Sequence, residues 1–471
     1  MIGPFIYLRD LAASGVRGWN RFFFTPADPT PLGVMRIVVG LTLLWNYAVY
    51  ALDLRDHFSS AGWSDAEIVR ASIEERIPLA WSLWFWVPHG WLWPAWGVCI
   101  LVFTLFTVGL WTRVAAFAAW AIVISTARRA PVEQFGFDQI MSGWMLYLAF
   151  CGASGRSVSI DRFLSRWKAT RAAAARKHKE GRLQVSSGVP EPSTAANIAL
   201  RLIQLHLCLI YAAAGLSKLQ GAAWWNGTAI WGTIAAREFQ YFDMTWLAEY
   251  PLLINALTHM SLVIEIGYAV LIWSPRVRPL LLAAVIALHA GIGIAIGLNE
   301  FGMAMIAGNL AFFSAKWLRG LVTGLHQPAG RVLYDGACPR CRTSIALIAA
   351  ADPDRVVEPI DLAAVDVATI NPTLTRDSCL RAMHLVRADG RVRVGYDAVM
   401  TILSWMPLYW PLSLARFVPG AGFVGRRVYQ AIADSRPRDI PCTDDTCALH
   451  APAEQRREAR PTAAVTSKSR S

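Results

Sequence analysis

Two cysteines with two residues between them, Cys338 and Cys341, follow the short apolar run RVLY and precede SIALIAA, which reads as a helix. A thiol at a helix N-terminus faces the positive end of the dipole and free backbone N–H groups, which favours the thiolate. A second thiol three residues on, one helical turn away, can resolve a mixed disulfide. This spacing assigns attack to Cys338 and resolution to Cys341. Two other chemistries use the same residues. One is half of a zinc site, completed by Cys442, Cys447 and His450. The other is a structural disulfide, which a reducing compartment disfavours. Cys442, Cys447 and His450 lie in a tail (441–471) whose charged and small residues read as disordered, so no metal is assigned and the redox pair is carried forward.

A second set of candidates sits inside apolar runs, where an ionisable group is costly and therefore worth a functional question. Arg36 lies a turn into the first run. Gln204, Tyr211 and Lys218 fall at heptad spacing in ALRLIQLHLCLIYAAAGLSKL. Asn255, Thr258 and Glu265 form one stripe with His259 nearby, His289 sits in a later run, and Asp138 opens another. Each has a plain reading. A lysine at a span end snorkels, Arg36 and Glu265 form a plausible ion pair, and a lone histidine is a packed hydrogen-bonding group. Cys99, Cys151 and Cys208 read as inert apolar fillers.

The elements that position these residues follow from composition. Of 471 residues 55% are hydrophobic and only 17% charged, against about 25% charged in ordinary soluble domains. Eight apolar runs are candidate spans: 31–52, 91–110, 113–127, 138–153, 195–217, 251–273, 278–297 and 300–316, the third, fourth and last being short for a bilayer. The net charge of +12 sits between these runs, as the positive-inside rule expects, and no base-reading motif accompanies it; nucleic acid is therefore not expected as a partner. The loop 154–194 carries nine Lys and Arg, whereas loop 53–90 is net acidic. Placing the first in the cytoplasm puts both termini there and Lys218 near the opposite face. Residues 1–30 lack the features of a cleaved signal peptide and, with Trp19 and Phe22–Phe24 among arginines, suit an interfacial segment. Segment 219–250, rich in Trp, Tyr and Phe, suggests re-entry or an interfacial helix.

Past residue 320 the composition changes. GLHQPAG (324–330) is a linker, 331–334 and 355–362 are strands, and 382–396 is a β-hairpin around Asp389-Gly390. Helical stretches continue to about residue 436. A strand, a CxxC opening a helix and a later hairpin is the order of a thioredoxin-like α/β unit. The fold class expected is thus a multi-span α-helical membrane bundle of about eight spans (31–320) plus a C-terminal thioredoxin-like α/β domain (331–440).

LYDGACPRC, MHLVRADGRVRVGYDAV and WPLSLARFVPGAGFVGRRVYQAIADSRPR together resemble the DCC family of thiol-disulfide oxidoreductases, named for an Asp-x-x-Cys-x-x-Cys start that Asp335, Cys338 and Cys341 match, with Gly336 inside the motif. The resemblance spans 331–440 and implies thiol–disulfide exchange. It departs from ordinary thioredoxins in that no proline precedes the hairpin strand. YAAAGLSKLQGAAWWNGTA, FFFTPADPTPLGVMRIVVGLTLLW and GFDQIMSGWMLYLAF resemble the HTTM superfamily, related to vitamin K-dependent γ-carboxylases, over residues 20–316. That resemblance implies a lysine base for a quinol at Lys218, a quinone as the cofactor class, and membrane lipid as a partner. The sequence has Ser217 where the carboxylases carry the first lysine of a pair, and it lacks their large extracytoplasmic C-terminal region. The two resemblances together imply a bacterial inner membrane protein. Three functions remain: a membrane-held cytoplasmic thiol oxidoreductase acting on an unidentified thiol partner, a quinol-dependent enzyme centred on Lys218, and a non-catalytic anchor for a thiol reductase. A bundle about 30 Å thick separates Lys218 from Cys338, so the two sites are expected to act apart.

Overall fold

The computed structural model describes residues 4–59, 62–63, 65–75, 81–175, 188–239, 241–323, 329–352 and 355–435. The tail with Cys442, Cys447 and His450, and most of the 324–330 linker, lie outside the described residues. The chain divides into two compact units, one of residues 1–162 and 190–318, the other of 163–189 and 319–471.

In the first unit all eight apolar runs are helical. Five helical segments are long and apolar enough to cross a bilayer: Thr30–Phe58, His89–Val108, Thr194–Lys218, Pro251–Leu271 and Arg278–Ile296. The other three differ for physical reasons. Thr112–Arg129 carries Arg113, Arg128 and Arg129 at its ends. Gly136–Phe150 has 15 residues and Asn299–Asn309 has 11, which at 1.5 Å per residue fall short of a hydrocarbon core of about 30 Å. The last run, read as one element to residue 316, is broken by a 3-10 turn at Leu310–Phe312. The expectation of about eight spans is thereby reduced to five crossing-length helices among the described residues.

Close backbone approach is written into glycines at two crossings. A Cβ at Gly302 would lie 2.6 Å from the carbonyl oxygen of His289, and one at Gly215 2.7 Å from Ile266. Small residues at such crossings let apolar helices gain contact where lipid supplies no hydrophobic drive. Pro4–Phe24 is helical, with Tyr7, Leu8, Leu11 and Trp19 exposed beside Arg9 and Arg17, the mixture of an interfacial helix. Segment 219–250 is not one helix. It holds two short ones, Ala222–Trp225 and Ala229–Ala235, and exposes Trp225, Tyr241, Phe242 and Trp246.

The second unit is built on a mixed four-stranded sheet: β1 (Gly330–Tyr334), β2 (Val357–Asp361), β3 (His384–Arg387) and β4 (Val392–Val394), in the order β2-β1-β3-β4. β1 and β2 are parallel, pairing Gly330 with Val357 through Tyr334 with Asp361. β3 runs antiparallel to β1 and β4, with His384 opposite Leu333 and Val394. The Asp389-Gly390 turn closes the hairpin, with Gly390 at φ +78° and Asp389 Oδ1 accepting from the Arg391 N–H at 3.1 Å. Val332, Tyr334, Ile345, Val357, Leu385 and Ile402 form a core on one side of the sheet. Part of the cationic stretch 154–194 also belongs here. It contains the helix Ile160–Ala175, whose Arg166 donates to the Ala349 and Asp352 carbonyls at 2.6 and 3.0 Å, and whose Thr170 donates to Ala346 O at 3.0 Å. Those carbonyls belong to the end of the helix Pro339–Ala351 and its cap, so a distant segment backs the helix that carries the thiols.

Candidate functional site

The CxxC turn is shaped from both sides. β1 delivers Asp335, whose Oδ1 accepts from the Ala337 N–H at 3.0 Å while its carbonyl accepts from the Cys338 N–H at 3.3 Å. This local Asx turn is what an Asp two residues before the bonded N–H provides. Cys338 then caps the helix Pro339–Ala351, and its Sγ accepts from the Cys341 N–H at 3.4 Å. Pro339 takes the first helical position, where its missing N–H costs nothing. A sulfur at that position lies against the first-turn amides of the helix. Both cysteines are buried, Cys338 to 2% exposure.

From the other side Asp361, at the end of β2, accepts from the Gly336 N–H at 3.1 Å and from the Ala363 N–H at 3.0 Å. The approach is so close that a Cβ at Gly336 would fall on the Asp361 carboxylate, which is why the motif has glycine there. Sequence reading missed Asp361, although VEPIDL contains it; the signal was an acidic residue ending a strand that parallels the motif strand. It also missed His384, buried at the start of β3 with Nδ1 2.9 Å from the Ala382 carbonyl oxygen. Where a proline was noted to be lacking, the Met383 N–H instead donates to the Tyr429 hydroxyl at 2.9 Å, and the Met383 carbonyl accepts from Gly395 N–H at 2.8 Å. Burial, then Asp361, pushes the Tyr334 hydroxyl up to about 12. The third thiol of the domain, Cys379, is buried and pushed up by that burial, which makes it a poor nucleophile.

The first unit gathers most of its sequence candidates, in pairings that differ from those expected. Lys218 Nζ donates to both carboxylate oxygens of Glu265, at 2.9 and 2.7 Å, and lies 5.3 Å from the centre of the Trp224 ring. The expected Arg36–Glu265 pair is therefore absent. Arg36, wholly buried, donates to the carbonyls of Ser154 and Val158 at 2.8 and 2.5 Å. The reason is register: Glu265 faces Lys218 where the Thr194–Lys218 and Pro251–Leu271 helices cross at Gly215, whereas Arg36 faces the loop after residue 150. Two turns along the same helix, Tyr211 is 2.8 Å from His289 Nε2 and 3.3 Å from Asn309 Nδ2, and Tyr268 donates to Asn309 Oδ1 at 2.6 Å. His289 Nδ1 is buried with no hydrogen-bond partner among the described residues. Asn309 and Tyr268 were not singled out from sequence. Gln204, the third heptad position, donates to the Ala311 carbonyl at 2.7 Å. His259 turns back on its own helix, Nδ1 3.0 Å from the Asn255 carbonyl, and Asp138 caps a helix by accepting from the Phe135 N–H at 3.1 Å. Neither joins the cluster through a described hydrogen bond.

The CxxC of this domain thus sits on a buried turn between the first strand of a mixed sheet and the helix that Cys338 caps. Residues 332–439 match the family model described as DCC1-like thiol-disulfide oxidoreductase, which agrees with the motif resemblance and with the domain's extent. That match covers the C-terminal domain only, and the HTTM resemblance has no matching family model behind it. No curated protein and no solved structure matches the chain.

Proposed function

We propose that the chain is a membrane-held thiol–disulfide oxidoreductase in which Cys338 is the nucleophile and Cys341 the resolving thiol. The observation that carries this reading is Cys338 at the N-cap of the Pro339–Ala351 helix, bonded to the Cys341 N–H. In the reducing direction the Cys338 thiolate attacks one sulfur of a substrate disulfide, forming a mixed disulfide and releasing the other sulfur as a thiolate that takes up a proton. The Cys341 thiolate then attacks Cys338 Sγ, releasing the second substrate thiol and leaving a Cys338–Cys341 disulfide; two electrons have moved from the domain to the substrate. The reverse sequence oxidises a dithiol. The setting proposed is a membrane with this domain in the cytoplasm, supported by five crossing-length helices and by the bias of Lys and Arg along the sequence; that the membrane is a bacterial inner one rests on the two family resemblances alone. Cys341→Ser in the full chain should accumulate a mixed disulfide with a model substrate, visible as an adduct mass that dithiothreitol removes. An adduct on any cysteine other than Cys338 overturns the assignment.

A second reading concerns the first unit. The Tyr211–His289–Asn309–Tyr268 network, with an unpartnered His289 nitrogen, supports a small polar headgroup such as a quinone or a lipid binding beside it. A Lys218 base acting on a quinol requires the Lys218–Glu265 pair to open first. Mass spectrometry of co-purified lipids and quinones tests this reading, with a Tyr211→Phe/His289→Ala double variant expected to lose any specific adduct.

A further inference from the structure

After the sheet, residues 410–434 pack in succession as Trp410–Ser413, Leu414–Phe417 and Ala421–Asp434. The last helix turns one stripe inward: Gly425 against Tyr396, Tyr429 onto the Met383 N–H, and Ala433 into the core. The rest of its surface is largely apolar and, among the described residues, uncovered. Phe423, Val424, Val428 and Ile432 are exposed there, as are Leu412 and Phe417 in the turns just before, with Phe417 at 71% and Phe423 at 62%. An apolar face of this extent on a folded unit marks an interaction surface.

Charge and tether select its occupant. From Ala398 to Ala433 the sequence contains no Asp or Glu, and its only cations are Arg416, Arg426 and Arg427. The Arg416 and Arg427 guanidiniums lie over the exposed rings of Phe417 and Phe423, 4.9 and 4.7 Å from their centres. Arginines edging exposed aromatic and aliphatic side chains are the composition of a helix that lies in a bilayer interface, and they complement anionic headgroups. Only residues 324–329 separate the Ala315–Thr323 helix from β1, a reach of about 20 Å at 3.3–3.6 Å per residue. The same chain carries five helices long and apolar enough to cross a bilayer, so a lipid surface is available to it without a separate partner. We propose that the 412–432 face docks in the headgroup region of an anionic phospholipid bilayer.

Arg340, beside Cys338, donates to Ser435 O at 2.6 Å, so the end of the docking helix is fastened to the thiol helix. Docking would then hold the dithiol at the bilayer surface, whatever its substrate. The test is photo-crosslinking from the full chain in vesicles. Benzoylphenylalanine replaces Phe423, or in a control Asp389 at the hairpin turn, and the vesicles contain phosphatidylglycerol with phosphatidylcholine or phosphatidylcholine alone. The expected result is a protein–lipid adduct from position 423 at least fivefold above the Asp389 control, and reduced several-fold by Arg416→Glu/Arg427→Glu. Adducts with a second copy or another protein, or lipid adducts equal at both positions, overturn the proposal. Because the readout is an adduct mass, its failure leaves the thiol chemistry unaffected.

Discussion

The dithiol turn and the Lys218–Glu265 crossing are both polar sites, buried or half-buried, with a glycine at the close approach, yet they are assembled in different ways. At the turn, Asp335, Gly336, Cys338 and Cys341 lie within seven consecutive positions, and only Asp361 comes from elsewhere. At the crossing, each partner comes from a different helix, and 47 residues separate Lys218 from Glu265. The turn's chemistry is a property of local backbone: a cap, a dipole and a spacing. The crossing's properties depend on helix register, which no local pattern encodes. A site of the first kind tolerates changes elsewhere in the chain but fails on a change within the motif. A site of the second kind answers to any change that shifts one helix against another.

The largest contrast is expected from paired substitutions. Cys338→Ser should reduce disulfide reduction to the uncatalysed background, whereas Lys218→Ala should leave that activity within about twofold, measured on the full chain with a model disulfide. Equal losses would mean that the sites act as one. Next, Gly336→Ala drives a Cβ onto the Asp361 carboxylate and must displace the turn. A misplacement of about 1 Å costs on the order of 10²-fold in rate, so a loss of about 10- to 100-fold is expected with both thiols still titratable by a small alkylating reagent. An unchanged rate would show that Asp361 does not position the turn.

That contrast also explains how much was legible in the sequence. The CxxC, its strand, its helix and the Asp389-Gly390 hairpin were readable because each is set within a few residues, whereas the sheet order β2-β1-β3-β4 depends on pairings between distant segments and was not assigned from sequence. The helix Ile160–Ala175 read only as a charged loop, because its role lies in Arg166 and Thr170 reaching carbonyls nearly 180 positions away. In the bundle, heptad spacing put Gln204, Tyr211 and Lys218 on one face of a helix, but did not say what they face. Arg36 was matched to Glu265 by charge alone, and register gave Glu265 to Lys218 instead. The three short runs were legible as helices, while their number of crossings was not, since length and end charge decide that.

The crossing itself can be tested through stability. Glu265→Ala leaves the Lys218 ammonium without its carboxylate in a site where the Glu265 side chain is 11% and the Lys218 side chain 24% exposed. Breaking a fully buried pair costs about 3–5 kcal/mol; the partial exposure of Lys218 lowers the expectation to about 1–3 kcal/mol, read as a lower unfolding midpoint in detergent. Lys218→Met combined with Glu265→Leu should recover most of the loss, because both charges are then gone. A double variant as unstable as the single one would show that the carboxylate, not the pair, is what the crossing needs.

The smallest effect belongs to the turn and appears only at high pH. Burial and the neighbouring Asp361 raise Tyr334 from 10 to about 12. The unfolded chain therefore releases the Tyr334 proton near pH 10 while the folded domain keeps it until about pH 12. Stability is full below pH 10 and is lost as pH rises through that window, because there the folded state binds more protons than the unfolded one. Two units correspond to at most about 2–3 kcal/mol. Tyr334→Phe, which removes a hydroxyl for which no described hydrogen bond is recorded, should change stability at pH 8 by less than about 1 kcal/mol and flatten the decline between pH 10 and 12. The comparison is made by denaturant unfolding of the second unit's signal in the full chain at both pH values. If the variant declines as steeply as the wild type, the Tyr334 hydroxyl is not the group that titrates, and the charge of Asp361 does not reach it across the end of the sheet.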